Sequence, residues 1–313
     1  MKRVAVSVLL VVAFLGCRKT APNGDAPAAP APTARSGDPW KQEAAKPAAA
    51  ADGYLPRPLL WSIEKDGKTS YAFGTIHVGV DANEKLPPAV WNKLEASPTF
   101  AMETDLSDPA ILKSLQCVGC SLRRELGEEY YAKLENILDA NVAKMVDGMK
   151  PMVAATMVAM KGLPETAQMD TLLLARAQNK HAQIVFLEPA THQAALLEKH
   201  MNIKALKVML ADPAGTLDGT KKLLAAYLEG DDVKMVALNA ELKQQSLANG
   251  FTEKEYDESQ EDMLYKRNAS WIAPIEKLHA AGGGFIAVGA LHLVGPRSVL
   301  DLLAKKGYKI TRM

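Results

Sequence analysis

The amino-acid sequence predicts an α/β fold, with a central mixed, mostly parallel sheet and a helical insertion in the middle of the chain. Near both ends of the region 57–313, short apolar runs with β propensity alternate with amphipathic helical stretches, as in proteins with parallel sheets. Between these ends, residues from about 128 to 281 show mostly helical periodicity. We therefore assign one domain to 57–313 and place two further segments before it.

The first of these segments is predicted to be an export signal. Two basic residues precede an apolar run at 4–15, which is too short to span a bilayer and is closely followed by Cys17. Residues 1–17 resemble a bacterial lipoprotein signal peptide whose cysteine is lipidated; an ordinary secretory signal is the alternative. Arg18 stands where an aspartate would resemble an inner-membrane retention signal. We therefore expect an exported, lipid-anchored protein of the outer membrane that faces the periplasm.

The second segment, 18–56, is rich in alanine and proline and has no apolar periodicity. A segment of this composition cannot bury a hydrophobic core, so we predict a disordered tether. Such a tether would hold the domain away from the lipid bilayer to which the acyl anchor binds.

The charge balance argues against one class of partner. The chain has 37 Lys and Arg residues against 36 Asp and Glu residues, and only 6% of its residues are aromatic. Nucleic-acid-binding domains carry clustered basic charge, and those that bind single strands also present aromatic stacking surfaces. We expect no nucleic-acid partner.

The domain is predicted to begin with a β-hairpin at 59–77. The Asp-Gly pair at 66–67 supplies the positive φ angles of a type I′ turn. Two prolines open the next segment, so a helix is expected from Pro87 onward. A short apolar strand at 99–102 then runs directly into Glu103.

The middle of the chain is predicted to be mostly helical. Helices are expected from Asp108, across 128–161 with a break at Pro151, at 169–179, and through most of 202–281. One apolar run, 183–187, is predicted to be a strand that ends at Glu188. Thr191 is expected to cap the helix that follows.

The last part of the chain returns to an alternation of strand and helix. Three glycines at 282–284 lead into an apolar run that starts at Phe285 and is predicted to be a buried strand. An amphipathic helix is expected at 296–306, and a closing strand at 308–311. The pattern places a second strand-end histidine, His292, far from the first in sequence.

Cys117 and Cys120 form a Cys-x-x-Cys pair with charged flanks. In an oxidising compartment, such a pair is most simply a local structural disulfide. A redox-active pair or a metal site remains an alternative, but redox pairs of the thioredoxin type lie between a strand and a helix.

Four of the predicted strands end in side chains that can ligate metals or move protons: His77, Glu103, Glu188 and His292. Both histidines lie in a Gly-x-x-His pattern. Because ligands of open α/β sheets bind beyond the carboxyl ends of the strands, these side chains are expected to meet at one edge. Imidazoles with a carboxylate suit a divalent metal that activates water, and a second carboxylate would serve as general base. Structural hydrogen bonding by each histidine is the alternative.

The ordered set of motifs resembles the TraB/GumN family, the bacterial branch of a superfamily that contains the Tiki proteases. The resemblance lies in 74–77, 100–103, 169–173, 187–189 with Gln193, 266–268 and 287–295. It covers the chain from about residue 59 to residue 310. The Cys-x-x-Cys pair is not expected from the core of that family.

The resemblance implies a peptidase-like site that depends on a divalent metal, with Mn, Co or Zn as candidates. His77 and His292 would be metal ligands, and Glu103 would be a third ligand or the general base. Arg267 would polarise a carbonyl or hold an oxyanion, and Asn268 would help it or orient a ligand. A solvated helix face followed by a cap is the alternative for Arg267 and Asn268.

The same resemblance implies that Asp170 and Glu188 orient the two histidines. The substrate does not carry over, so either a peptide or a small molecule is expected. Two other functions stay open at this point: a metal-independent hydrolase of the erythromycin-esterase type, and a lipoprotein that binds haem or another ligand without catalysis. A haem site needs a histidine or tyrosine but no strand-end glutamate, so Glu103 favours catalysis.

Overall fold

The computed structural model describes residues 53–105 and 107–313. The predicted signal peptide with Cys17 and nearly all of the predicted tether lie outside the described residues. Leu55, near the end of that segment, is buried in the core, and its N–H donates to the carbonyl of Lys85 at 2.8 Å. In the described part of the chain, no helix is both long and apolar enough to cross a membrane.

The described residues form one six-stranded sheet, which confirms the predicted α/β class. Its strands are β1 (Leu60–Lys65), β2 (Lys68–Thr75), β3 (Thr99–Met102), β4 (Gln183–Phe186), β5 (Phe285–Gly289) and β6 (Lys309–Arg312). In space they follow the order β4-β3-β5-β2-β1-β6. The four strands from β4 to β2 are mutually parallel, whereas β1 is antiparallel to both of its neighbours. The sheet is therefore mixed and mostly parallel, as predicted.

Helices occupy most of the remaining described chain. They are α1 (Ala82–Lys85), α2 (Pro88–Glu95), α3 (Pro109–Leu115), α4 (Leu122–Leu126), α5 (Glu128–Leu138), α6 (Ala140–Val146), α7 (Pro151–Met160), α8 (Met169–Asn179), α9 (Ala190–His200), α10 (Ile203–Ala211), α11 (Pro213–Glu229), α12 (Asp232–Ala248), α13 (Glu253–Gln260), α14 (Lys266–Ala280) and α15 (Val299–Lys305). A π-helical segment, Glu261–Tyr265, joins α13 to α14, and a 3₁₀ turn, Ala290–His292, follows β5.

Local sequence chemistry explains most of the element boundaries. Asp66 and Gly67 have φ angles of 49° and 72°, so the first hairpin has the predicted type I′ turn. The Asp108 side chain accepts a hydrogen bond from the N–H of Ala110 and so caps α3, as predicted. The predicted cap at Thr191 is wrong, because α9 already begins at Ala190 after Pro189.

Two other predicted boundaries also shift. The helix expected at 296–306 begins only at Val299, because Gly295 and Arg297 have positive φ angles and Ser298 provides the cap. The helical stretch expected at 128–161 is also interrupted at Asp139, whose φ of 71° ends α5 and whose carboxylate caps α6.

The described residues pack around two hydrophobic cores. The main core lies on the sheet and includes the stacked rings of Phe100 and Phe285. The second core is built almost wholly from helices of the middle of the chain, with Leu122, Leu134 and Leu206 fully buried. The helical insertion thus has its own apolar interior. Cys117 and Cys120 form a disulfide in the loop between α3 and α4, beside this second core.

Helix α11 connects the helical region to the edge of the sheet where the parallel strands end. The hydroxyl of Tyr227 donates to the carbonyl of Gly74 at 3.0 Å, and Leu224 packs in the main core. Helix α11 therefore lies beside the carboxyl end of β2, and α12 packs against it.

Candidate active site

The parallel strands deliver the predicted site residues to one edge of the sheet. Thr75, the last residue of β2, pairs with Gly289, the last residue of β5. His77 follows β2, and His292 closes the 3₁₀ turn after β5. Glu103 and Glu188 follow β3 and β4, and the N–H of Glu188 donates to the carbonyl of Glu103 at 2.9 Å. The order of the strands thus places Glu103 between Glu188 and the two histidines.

Gly289 lies at the centre of this group. Its N–H donates to Oε1 of Glu103 at 2.7 Å. A Cβ atom placed at this residue would lie 3.2 Å from Glu103 Oε1, 3.5 Å from His292 Cδ2 and 3.9 Å from His77 Nε2. The three residues predicted to hold a metal therefore border one small space, which exists because residue 289 has no side chain.

His77 is oriented by a carboxylate. Its Nδ1 lies 2.7 Å from Oδ2 of Asp170, and Oδ1 of the same carboxylate accepts from the Thr75 hydroxyl at 2.8 Å. Burial disfavours the charged imidazolium, but the charge and hydrogen bond of Asp170 outweigh burial and raise the pKa of His77 to about 9. With Nδ1 engaged, Nε2 is the ring nitrogen that faces the space beside Gly289.

His292 is oriented by an amide and is kept neutral. The side chain of Asn268 donates through Nδ2 to the carbonyl of Arg297 at 3.0 Å, so its oxygen faces His292 Nδ1, 2.6 Å away. His292 Nδ1 therefore carries the proton, and Nε2 carries the lone pair. Burial, together with the nearby charge of Arg267, lowers the pKa of His292 to about 3. The ring also packs on Trp271, with 4.6 Å between the ring centroids.

Arg267 connects the two glutamates. Its Nη2 donates to Glu103 Oε2 at 2.7 Å and to Glu188 Oε1 at 2.6 Å, and its Nε donates to the same oxygen of Glu188 at 2.9 Å. Its Nη1 donates to the carbonyl of Met263 at 2.9 Å and lies 3.1 Å from His292 Nε2. Only 1% of its side-chain surface is exposed. Arg267 is thus a buried cation at the centre of the site.

The alternative that Arg267 and Asn268 lie on a solvated helix face is therefore wrong. Arg267 is 2% exposed and Asn268 is 1% exposed. They stand in the first turn of α14, directly after the π-helical segment, and π-helical turns often occur at functional sites. No pattern in the sequence indicated this segment, because its residues continue the helical periodicity on either side.

The ionisation of Glu103 follows from these neighbours. Burial by itself would raise the pKa of this carboxyl, but Arg267 and the two histidines hold it well below its usual range. Gln193 adds a further hydrogen bond, donated from Nε2 to Glu103 Oε2 at 2.9 Å. Glu103 is consequently a carboxylate at neutral pH. Glu188 differs, because burial outweighs Arg267 and raises its pKa.

A cleft of about 120 Å³ opens from this edge of the sheet. His77, Glu103, Arg267 and His292 line its inner end. Helices α11 and α12 form its opposite wall with a mostly apolar surface that includes Leu223, Leu224, Met235, Leu238 and Leu242. The sequence predicted helices in this part of the chain but did not identify them as a wall of the site.

The Cys-x-x-Cys pair and two of the other histidines do not line the cleft. The Cys117–Cys120 disulfide is separate from it. Among the other histidines, His279 is buried between the Ser70 hydroxyl and the Lys65 carbonyl, and His200 bonds Asp262. These two histidines have structural hydrogen bonds and no link to the cleft.

Comparison with known proteins identifies the family. The model of the TraB/PrgY/gumN family matches residues 59–312, which include every strand of the sheet and the whole cleft. The chain belongs to the TraB/PrgY/gumN family. This TraB-family chain is 25% identical to the uncharacterized protein YbaP of Shigella flexneri, over 75% of this chain and 87% of that protein. YbaP of Escherichia coli is also 25% identical, over 74% and 87%, respectively. No solved structure matches the chain.

The donor atoms of this TraB-family site are of the kinds that hold a divalent cation. Both histidines have Nδ1 engaged by an acceptor oxygen, as ligating histidines usually do, and Glu103 borders the same space. With the side chains as they lie, no three His, Cys, Asp or Glu groups in the described residues stand close enough together to hold an ion. Arg267, hydrogen-bonded to His292 and Glu103, neutralises the cluster in this arrangement.

Replacing Gly289 with alanine tests the importance of the space between these groups. The backbone angles of Gly289, −51° and 136°, suit alanine, so any effect will come from the added methyl group. We expect ligand or metal binding to fall at least about tenfold, with about 1–3 kcal/mol lost in unfolding free energy because Glu103 must move. Isothermal titration and urea unfolding measure both. Gly148→Ala, which meets nothing within 4 Å, is the control; equal behaviour of the two variants would contradict this role for the space.

Proposed function

We propose that this domain is a hydrolase that acts at a peptide bond with the help of a divalent cation. His77 Nε2, His292 Nε2 and Glu103 would hold the cation, which would be Mn, Co or Zn. The observation that supports this most directly is that Asp170 and Asn268 engage both Nδ1 atoms, so that Nε2 is the nitrogen of each ring that would face the cation. Binding would displace the Nε2 proton of His77 and the contact of His292 Nε2 with Arg267 Nη1. When bound, the cation would polarise a carbonyl group and lower the pKa of a water molecule.

Each side chain of the candidate site has a defined part in this proposal. Asp170 and Asn268 hold the two imidazoles in position, and the neutral state of His292 suits a ligand. The low pKa of Glu103 makes it a better ligand than a proton acceptor, because a general base works best with a pKa near the working pH. Arg267 would stabilise the negative charge that develops on the substrate oxygen through the Nη1 N–H that the cation would release from His292 Nε2.

The surroundings of the site are consistent with an exported hydrolase. The apolar wall formed by α11 and α12 would exclude water from the reacting centre and accept an apolar side chain. A Cys117–Cys120 disulfide persists in an oxidising compartment, which supports export to the periplasm. We further propose that Cys17 carries the lipid anchor and that the anchor holds the domain at the outer membrane.

Removal of metal tests this function. The purified domain, treated with chelator and reconstituted with Mn, Co or Zn, is expected to bind about one ion per chain by mass spectrometry. Chelation is expected to lower cleavage of a fluorogenic peptide library by more than about 100-fold, and reconstitution to restore it. A His77→Ala/His292→Ala double variant should bind no ion. A domain that cleaves peptides equally well with and without chelator would contradict the metal-dependent mechanism.

A second candidate, a metal-independent hydrolase, is favoured by one observation. The pair of His77 and Asp170 resembles the histidine and aspartate of hydrolytic triads. Because the pKa of His77 is raised to about 9, Nε2 would take a proton from water only at alkaline pH. Arg267 already supplies positive charge beside Glu103. Chelator-resistant turnover of esters or lactones would support this candidate. Haem binding has less support, because a haem site does not require the buried carboxylate of Glu103.

A further inference from the structure

Three residues that line the cleft each have a buried side-chain amide oxygen without a hydrogen-bond donor. In the described part of the chain, three side-chain amide oxygens are buried without a donor: Gln193 Oε1, Asn239 Oδ1 and Gln245 Oε1. All three of these residues line the cleft of the candidate active site. Gln193 lies on α9, and the other two lie on α12, so acceptors are present on two different walls.

The orientation of the Gln193 amide follows from its neighbour. Glu103 Oε2 accepts hydrogen bonds from Arg267 Nη2 at 2.7 Å and from Gln193 Nε2 at 2.9 Å, so the nitrogen of the Gln193 amide faces the carboxylate. The oxygen is then left without a partner, in a residue that is only 4% exposed. A buried acceptor that is not hydrogen-bonded is unfavourable, and a donor on a bound ligand would remove that penalty.

We propose that Gln193 Oε1 accepts a hydrogen bond from a backbone N–H of an extended peptide substrate, beside the bond that is cleaved. Asn239 and Gln245 accept further N–H groups along the chain of the same substrate. The inference rests on the proposed hydrolase function and deepens it, because it specifies the substrate class. Gln193 is then a specificity-determining residue that also positions Glu103.

The chemistry of the acceptors selects among substrates. Amide oxygens offer lone pairs and no protons, and the carboxylates of Glu103, Asp218 and Glu241 add further acceptors to the lining. A peptide presents an N–H at every residue except proline. An ester or a lactone presents only acceptors along the same backbone and leaves the buried oxygens unpaired. A site that requires a donor rejects an analogue that lacks it.

A substrate series with single-atom changes tests the proposal. A peptide that the wild-type domain cleaves is first taken from a fluorogenic library. It is then made in versions in which each backbone N–H, other than that of the cleaved bond, is replaced in turn by an ester oxygen. In the wild type, one replacement near the cleaved bond is expected to lower kcat/KM about tenfold. In Gln193→Met, the same replacement is expected to have no effect.

The ratio of kcat/KM for the peptide to kcat/KM for its ester-substituted version distinguishes a contact between Gln193 and the substrate from an effect of Gln193 on Glu103. Loss of the hydrogen bond to Glu103 lowers kcat/KM for both substrates together and leaves their ratio unchanged. Gln183→Met, at an exposed position outside the cleft, is the matched control. It should show the same loss of kcat/KM as the wild type at each N–H replacement. If Gln193→Met does not fold, Gln245→Met is expected to lose sensitivity at a different N–H of the peptide.

Four outcomes would contradict the inference. The proposal is wrong if Gln193→Met keeps the tenfold loss at the same position, or if Gln245→Met, used in its place, keeps the full wild-type profile. It is also wrong if the wild type tolerates every N–H replacement although it cleaves the peptide, a result that would leave the hydrolase proposal intact. If the wild type cleaves no peptide but hydrolyses esters, both the peptidase proposal and this substrate class fail.

Discussion

Replacement of Arg267 with methionine is expected to lower the free energy of unfolding by about 3–5 kcal/mol. The guanidinium is almost fully buried and bonds two buried glutamates, Glu103 and Glu188. Methionine fills much of the volume but leaves two carboxylates close together without a cation. Urea unfolding at neutral pH, followed by circular dichroism, measures the loss.

Two further variants define the cause of this loss. Arg123→Met removes an arginine that also bonds two glutamates, Glu128 and Glu135, but at a half-exposed position, so it should lower the free energy of unfolding far less than Arg267→Met does. Adding Glu188→Gln to Arg267→Met removes one of the uncompensated charges and should recover part of the stability. If the double variant is no more stable than Arg267→Met, the loss does not come from unpaired buried charge.

Replacement of His77 with glutamine is expected to lower kcat/KM by about 10³-fold or more and to weaken metal binding in parallel. The variant removes the Nε2 atom that faces the space beside Gly289, whether that atom binds a metal or takes a proton from water. Because about a quarter of the His77 side chain is exposed, the fold should tolerate the change. Steady-state kinetics on a cleaved peptide and titration with manganese measure the two effects.

His279→Gln is the matched control for His77→Gln. His279 is also buried beside the sheet, but it bonds Ser70 and the Lys65 carbonyl and does not line the cleft. Its replacement should lower stability through the loss of these hydrogen bonds and leave kcat/KM and metal affinity near wild type. Wild-type activity in His77→Gln, or an equal loss of activity in both variants, would remove His77 from the proposed site.

The sequence predicted the elements of the sheet because their signals are local. The apolar runs before Glu103 and before His292 have strand propensity and strand length, and the turn at 66–67 has the residues that its positive φ angles require. The failed predictions are at boundaries. Thr191 is a good cap residue in isolation, but Pro189 takes the cap position, so α9 begins two residues earlier than predicted.

The predicted site residues lie together because parallel strands end at the same edge of a sheet. His77, Glu103 and His292 could be proposed from that rule and the family resemblance. The arrangement of Arg267 could not, because its position depends on the π-helical segment before α14 and on contacts with three separate elements. The free oxygen of Gln193 was equally inaccessible, since it results from the hydrogen bond that its nitrogen makes with Glu103.

Strand propensity, turn chemistry and the two Gly-x-x-His motifs are properties of neighbouring residues, so the fold class and the candidate ligands follow from the sequence alone. The tertiary structure decides the order of the strands and the burial of Arg267. It also decides the neutral state of His292 and the placement of α11 and α12 over the cleft. The physical reason is that each of these depends on contacts between residues far apart in the chain, and on the loss of solvent that those contacts cause.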